Sequence, residues 1–238
     1  MAKPVLLNNI THQHLRVRTG PGAEFGDNQM AAPIVAAEFR PAQAHYPIVF
    51  RPTQGGSGFE ALALFGLAAG DNLFLSNDGW DADYVPLAVR RQPFLIGVSG
   101  QELTVHVDED NARLRCGPDE GEAVFLEEGS PTPYLEQVNS MLFALHEGML
   151  EMTGLIAALR EHALLEAFVF EIELADGSER RLEGLYTINE EALVALDAAA
   201  LDRLHRAGYL LPIYMVVASL SNFRALIERE NRRHAVPR

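Results

Sequence analysis

One stretch of the sequence constrains the fold more than any other. Between residues 135 and 159, apolar side chains recur at alternating intervals of three and four, which places them along one side of an α-helix. Thr132 suits the N-cap, Pro133 the first helical position and Glu136 the first turn, so the helix is predicted to begin at residue 133. The apolar positions are Leu135, Val138, Leu142, Leu145, Met149, Met152, Ile156 and Leu159.

This stripe fits either a core helix or a self-pairing coiled coil. Coiled coils usually carry charged residues beside the stripe, whereas Met141 and Leu155 widen it here. We therefore favour a core helix and keep a homodimer through the helix at 133–162 as the alternative. Gly148 and Gly154 each cost about 1 kcal/mol relative to alanine inside a helix, so we expect close packing or a bend at these positions.

The first half of the chain has the pattern of strands and turns. Short apolar or alternating runs are separated by clusters of Gly, Pro, Asn and Asp. Strands are therefore predicted at 15–18, 34–39, 46–51, 61–67, 73–75, 84–89, 94–98 and 103–107.

The second half continues with a hairpin and further helices. Two apolar runs at 168–174 and 181–186 flank Asp176-Gly177, which is typical of a hairpin turn. Asn189 and Asp197 are suited to cap two short helices, and a final helix is predicted over 211–232. A strand-rich part at 1–128 followed by a helix-rich part at 129–238 predicts an α+β fold, packed as a single domain over 1–238.

Charge and hydropathy exclude several classes of protein. The chain has 19 basic and 33 acidic residues and a formal charge of −14, which argues against binding of nucleic acid. The longest apolar run, at 209–220, contains Pro212 and is shorter than the ~20 residues that span a bilayer, so no membrane span is predicted. The N-terminus resembles no secretory signal. A cytoplasmic protein is expected, with the cell surface, reached without a signal, as the alternative.

The motifs in this sequence that could bind a metal or supply a nucleophile are incomplete. His106 and Asp108 form a His-x-Asp pair that could bind iron together with His146, His162 or His205, but the pair runs directly into an acidic turn. His12 and His14 lack a third ligand, and Cys116 lacks an identifiable His partner. We therefore favour a protein that is not an enzyme, and keep a metal-dependent oxygenase based on His106 and Asp108 as one hypothesis. The sequence identifies no cofactor.

One loop region combines aromatic and arginine side chains, which can recognise a protein or small-molecule ligand by stacking and bidentate hydrogen bonds. Pro86 and Pro93 fix turns within it. The same residues could instead form a packed corner around the only tryptophan of the chain. The candidate binding residues are Trp80, Tyr84, Arg90, Arg91 and Phe94.

Several motifs together resemble the bacterial SapC family, in one collinear order over roughly residues 5–230. They include the runs Tyr46–Phe50, Ala63–Leu67, Asn72–Phe74, Tyr84–Pro86, Arg90–Phe94, Asp108–Asp110, Gly129–Leu135, Leu182–Tyr186 and Ser219–Phe223. This family is distinct from the peptide-transport permease of the same name, which spans the inner membrane.

The resemblance implies a role near the cell envelope. The family name comes from an association with surface layers, and many relatives are encoded beside TonB-dependent transporters, halogenase-like proteins and cupin-like proteins. We therefore expect a non-catalytic binding protein of a nutrient-uptake or envelope programme, with a surface-layer structural component as the alternative. The resemblance supplies no catalytic residue, and His106 lies outside the shared pattern.

Overall fold

A computed structural model describes residues 3–56, 58–76, 78–99, 102–117 and 119–235. Within these residues the strands are β1 (Pro4–Leu6), β2 (Arg16–Val17), β3 (Ala31–Ile34), β4 (Ile48–Pro52), β5 (Phe59–Leu64), β6 (Leu75–Ser76), β7 (Gly79–Trp80), β8 (Phe94–Ser99), β9 (Glu102–Asp108), β10 (Glu122–Ala123), β11 (Leu165–Glu173) and β12 (Glu179–Ile188). The helices are α1 (Phe39–Ala42), α2 (Leu87–Arg90), α3 (Pro133–Glu161), α4 (Glu190–Val194), α5 (Ala198–Arg206), α6 (Leu210–Ser219) and α7 (Asn222–Ala235). Helices contain 36% of the residues and strands contain 26%. The helices are concentrated after residue 132, which confirms the α+β prediction.

The contacts divide the chain into two compact units that are interleaved in sequence. Unit 1 comprises Met1–Asp27, Asn77–Gly79 and Leu87–Glu147, and unit 2 comprises Asn28–Ser76, Trp80–Pro86 and Gly148–Arg238. Helix α3 contributes to both units. The single domain over 1–238 stays a prediction.

Unit 1 contains two small antiparallel sheets. β9 lies between β1 and β8, and β10 pairs with β2. The first half of α3 packs against these strands because its stripe supplies apolar side chains to the same cluster. The core of unit 1 consists of Val17, Phe94, Val107, Val124, Leu135, Val138 and Leu142.

The largest sheet of unit 2 is antiparallel, with the strand order β11-β12-β4-β5-β3, and β6 and β7 form a separate two-stranded sheet. β11 and β12 form the predicted hairpin, and Gly184 adopts φ 72° beside a register shift between Phe168 and Phe170. Glycine is favoured there because this backbone conformation strains other residues. The largest fully buried side chains of this unit are Phe39, Tyr46, Ile48, Phe50, Leu62, Leu64, Phe65, Leu67, Leu155 and Leu159.

The apolar stripe of α3 is mostly buried within the chain. Leu135, Val138 and Leu142 are buried in unit 1, and Met152, Ile156 and Leu159 are buried in unit 2, as a core helix requires. Leu145 is half-buried and Met149 is 65% exposed. The homodimer through this helix remains a prediction.

Close packing accompanies both glycines of α3. A Cβ on Gly148 would lie 2.5 Å from Val35 Cγ2, and a Cβ on Gly154 would lie 2.2 Å from the Tyr209 hydroxyl oxygen. The absence of a side chain therefore lets neighbouring residues approach the helix, which confirms the expectation from sequence.

Three predicted strands are wrong. The run predicted at 73–75 forms a turn at residues 73 and 74, and only Leu75 begins a strand, β6. The strand predicted at 34–39 ends at Ile34, because the Glu38 carboxylate accepts a hydrogen bond from Val35 N (3.0 Å) and closes a helical turn. The segment predicted as a strand at 84–89 instead enters α2 directly after Pro86, a residue whose fixed φ suits a helix start.

The final predicted helix is two helices. α6 ends at Ser219 and α7 begins at Asn222. The junction is held by contacts with the chain that leads into β4: Ile48 N donates to Ser219 Oγ (2.9 Å), and Asn222 Nδ2 donates to Gln43 O (2.7 Å). Such side-chain bonds to a distant backbone are invisible to helical periodicity.

Two helical stretches are long and apolar enough to cross a membrane, by length and composition alone. They are Pro133–Glu161, with mean hydropathy 1.3, and Leu210–Arg233, with mean hydropathy 1.6. Core helices of soluble proteins meet the same criterion, and both stretches contribute buried residues to the units described above. The expectation that no segment spans a membrane stays a prediction.

Candidate functional site

The predicted recognition segment, residues 80–94, is divided between the two units. Trp80–Pro86 belongs to unit 2, and Leu87 and the residues after it belong to unit 1. Its two parts are therefore described separately.

In unit 2, the half-buried Trp80 and Tyr84 are both held by the fully buried Tyr46. The Tyr46 hydroxyl donates a hydrogen bond to the carbonyl oxygen of Tyr84 and accepts one from Trp80 Nε1 (2.8 Å). Burial raises the pKa of Tyr46 above its usual range, so the hydroxyl keeps the proton that it donates to Tyr84.

Aromatic rings surround this hydroxyl. Phe65 and Phe74 meet the Tyr46 ring edge-on, with centroids 5.1 and 4.7 Å away, and Phe65 also meets the Trp80 ring at 5.0 Å. Edge-to-face pairs of this kind add about 0.5–1.5 kcal/mol each beyond the area that they bury. The position of the tryptophan is therefore determined by packing and by a hydrogen bond together.

Tyr84 is fixed by a buried carboxylate that the sequence did not indicate. Its hydroxyl donates to Glu38 Oε1 (2.7 Å), while Glu38 Oε2 accepts from Val35 N. Glu38 is only 2% exposed. Buried carboxylates are stable where their oxygens accept hydrogen bonds, as both oxygens do here.

The loop beside Trp80 carries an accessible ion pair. Arg229 of α7 donates to Asp81 Oδ2 (2.5 Å), and its guanidinium lies 4.3 Å from the centroid of the Phe74 ring. The Asp81 side chain is 71% exposed and that of Arg229 is 22% exposed. The surface next to Trp80 is therefore polar, and α7 holds the Arg229 side chain in place there.

In unit 1, the three remaining candidates have different environments. Arg90 is exposed at the end of α2 and makes no hydrogen bond or ion pair with any residue that the structure describes. Arg91 donates to Phe94 O (2.5 Å), and burial lowers its pKa. Phe94 is 0% exposed and lies in the core of unit 1, with its ring 6.2 Å from that of Tyr134. Phe94 therefore supports this part of the segment from beneath and does not reach its surface, contrary to the expectation of a contact residue.

The pair proposed for iron lies on β9. His106 and Asp108 project from the face opposite to the buried Val107, because side chains alternate along a strand. Asp108 Oδ1 accepts hydrogen bonds from the backbone N–H groups of Lys3 (2.7 Å) and Asp110 (3.3 Å), so it is occupied as a turn cap. Among the described residues, no three His, Cys, Asp or Glu side chains are grouped as metal ligands would be. The oxygenase hypothesis gains no support from this arrangement.

The other reactive residues of unit 1 have local partners. His12 is buried and its Nδ1 accepts from Asn8 N (3.2 Å), because residues 8–12 form a turn around its ring. On its other side, His12 Nε2 lies 3.9 Å from Glu109 Oε1, a carboxylate that is also paired with Lys3 Nζ (2.8 Å). The Cys116 thiol donates to Arg16 O (3.3 Å).

A family model matches this chain. The SapC family model covers residues 7–226, nearly the full length. The chain belongs to the SapC family. No curated protein and no solved structure gives a significant match, so the family assignment comes without a relative of described activity.

Several SapC motif residues have structural tasks in unit 2. Ser219 and Asn222 hold the backbone that precedes and begins β4, and Asn222 Nδ2 also contacts Tyr46 O (3.2 Å). Asn72 Oδ1 accepts from Phe74 N (3.0 Å) and so shapes the loop that presents Phe74 to Tyr46. The contacts of Ser219 and Asn222 join residues far apart in sequence, whereas that of Asn72 is local.

Proposed function

We propose that this SapC protein acts by binding a partner, and not by turnover, within a nutrient-uptake or cell-envelope programme. Its recognition residues are those of segment 80–94 that reach the surface. In unit 2 these are Trp80, Tyr84 and Asp81, and in unit 1 they are Arg90 and the accessible part of Arg91.

The observation that carries the proposal is Arg90. This arginine belongs to the pattern that resembles the family, yet its side chain is exposed and makes no hydrogen bond or ion pair with the described residues. In a chain with 33 carboxylates, an arginine without an ion pair has a guanidinium fork available for a carboxylate or phosphate of a partner. In unit 2, Trp80 and Tyr84 are held in place by hydrogen bonds and by themselves offer rigid aromatic contact area at low entropic cost.

Photocrosslinking in the source cells tests this proposal. A photoreactive amino acid is placed at position 90 and, as a matched control, at position 40. Arg40 is also exposed and also lacks a partner among the described residues, but lies on α1 and outside the segment. We expect a discrete adduct from position 90 that is absent from position 40. The same adducts from both positions, or none from position 90, would overturn the proposal.

Turnover is tested on the partner found in this way. Incubation of the purified partner with the full chain should leave the mass and structure of the partner unchanged. A modified partner would show that the protein is an enzyme. Cell fractionation tests the accompanying proposal of a cytoplasmic location, which a protein recovered from the cell surface would contradict.

A further inference from the structure

The sheet of unit 2 ends in two edges of different character. β3 is four residues long and contains the exposed Pro33, which has no N–H to offer a further strand. β11 is nine residues long, contains no proline, and spans about 30 Å at the usual rise of a strand. In the part of the chain that the structure describes, no other segment pairs with the outer side of β11. One edge is blocked and the other is open.

The hairpin that forms the open edge is acidic. On its two strands, the exposed charged side chains are five glutamates and one arginine, a formal excess of four negative charges. Arg181 is shared between Glu171 and Glu183, at 3.0 Å from each. The charged residues are Glu166, Glu171, Glu173, Glu179, Arg181 and Glu183.

Val169 lies at the middle of β11 and is 54% exposed. Proteins often place charges on edge strands to prevent aggregation, and the glutamates of β11 are suited to this role. The negative charges of these glutamates repel the β11 edge of a second copy of this chain, but they attract a strand that carries positive charges. A partner strand would pair with the free backbone groups of β11, cover Val169 and face the glutamates.

We infer that β11 binds a basic extended segment of a partner protein by strand addition. The backbone hydrogen bonds of the edge provide affinity, and Glu171 and Glu173, which lie on the same face of β11 as Val169, select lysine or arginine side chains on the added strand. This interaction uses none of the residues in segment 80–94, so it stands or falls independently of the function proposed above.

The binding test uses the full chain and a labelled peptide as long as β11, composed of alternating lysine and valine or threonine. Fluorescence anisotropy measures its affinity, and a peptide with N-methyl groups on alternate residues is the backbone control. We expect the N-methylated peptide to bind at least about tenfold more weakly, because it cannot form the strand hydrogen bonds. Equal binding of the two peptides would show that attraction is only between charges and would overturn the inference.

Charge reversal tests the selecting residues. Glu171→Lys and Glu173→Lys should each weaken binding of the basic peptide by about fivefold, whereas Glu151→Lys, at an exposed position of α3 in the same unit, should leave it unchanged. A similar loss in all three variants would contradict the inference.

Hydrogen exchange locates the added strand. Backbone amides of β11 should exchange more slowly when the basic peptide is bound, and those of β3 should not change. Protection confined to another part of the chain would overturn the inference. A concentration-dependent dimer that protects β11 in the absence of peptide would show that the occupant is a second copy.

Discussion

The buried ion pair of unit 1 allows a prediction with a calculable size. Asp27 and Arg113 are 2% and 4% exposed, and Arg113 Nη2 lies 2.6 Å from Asp27 Oδ2. The other end of the guanidinium donates to the carbonyl oxygens of Arg18 (3.0 Å) and Gly20 (2.7 Å) and lies 4.8 Å from the ring centroid of Phe25. One side chain therefore organises the chain between residues 18 and 27.

Asp27→Ala would leave the Arg113 charge buried without its carboxylate. Breaking a buried pair in this way costs about 3–5 kcal/mol, a large part of the ~5–15 kcal/mol by which folded proteins are stable. At a urea dependence of about 2–3 kcal/mol per molar, the unfolding midpoint should fall by about 1 to 2 M. Urea unfolding followed by far-ultraviolet circular dichroism measures this shift.

The control is the exposed pair of Arg18 with Glu120, in which Glu120→Ala should leave the urea midpoint nearly unchanged because water already solvates both charges. A loss below about 1 kcal/mol for Asp27→Ala would refute the reasoning, since it would mean that water or another group compensates Arg113. The double variant Asp27→Leu, Arg113→Met should cost less than the sum of the single variants, because no charge then remains buried.

Three further predictions use single substitutions. Tyr46→Phe should destabilise the protein by about 1–3 kcal/mol and shift the fluorescence emission of Trp80, because the indole N–H loses its acceptor; an unchanged emission spectrum would contradict this. Gly148→Ala should destabilise by about 1–3 kcal/mol in chemical denaturation, although helix propensity alone favours alanine by about 1 kcal/mol, since the new Cβ would lie 2.5 Å from Val35; a more stable variant would disprove the close contact. Burial raises the pKa of Tyr134 to about 12, so the unfolded chain loses this proton first, and stability should fall as pH rises from 10 towards 12. Tyr134→Phe should reduce that alkaline slope in melting experiments, and an unchanged slope would exclude this tyrosine as its source.

Features that depend on neighbours in sequence were predictable. The caps at Asn189 and Asp197 accept from the backbone N–H groups of Ala192 and Ala200, and the long helix starts at Pro133 as expected. Each depends on residues within about one helical turn, so the local pattern contains the physical cause.

Features that depend on distant contacts were not predictable. Asp27 lies 86 positions from Arg113, and Glu38 lies 46 positions from Tyr84, so neither buried carboxylate had a recognisable partner in the sequence. Without a partner, an acidic residue is expected at the surface. The same limit explains the wrong strand at 34–39, because the Glu38 side chain that closes the turn is held by Tyr84.

Several residues that carry the SapC resemblance make contacts that stabilise the fold, and this helps to locate the residues that carry the function. Tyr46, Ser219 and Asn222 fix the start of β4, and Gly184 provides the left-handed conformation at the register shift of the hairpin. A pattern made of such residues specifies a structure without specifying chemistry. Arg90 is different, because it belongs to the pattern but its side chain makes no hydrogen bond or ion pair with the described residues. A residue with no structural task in a structural pattern is the place where a ligand is best sought, and position 90 is therefore the decisive site for the crosslinking experiment.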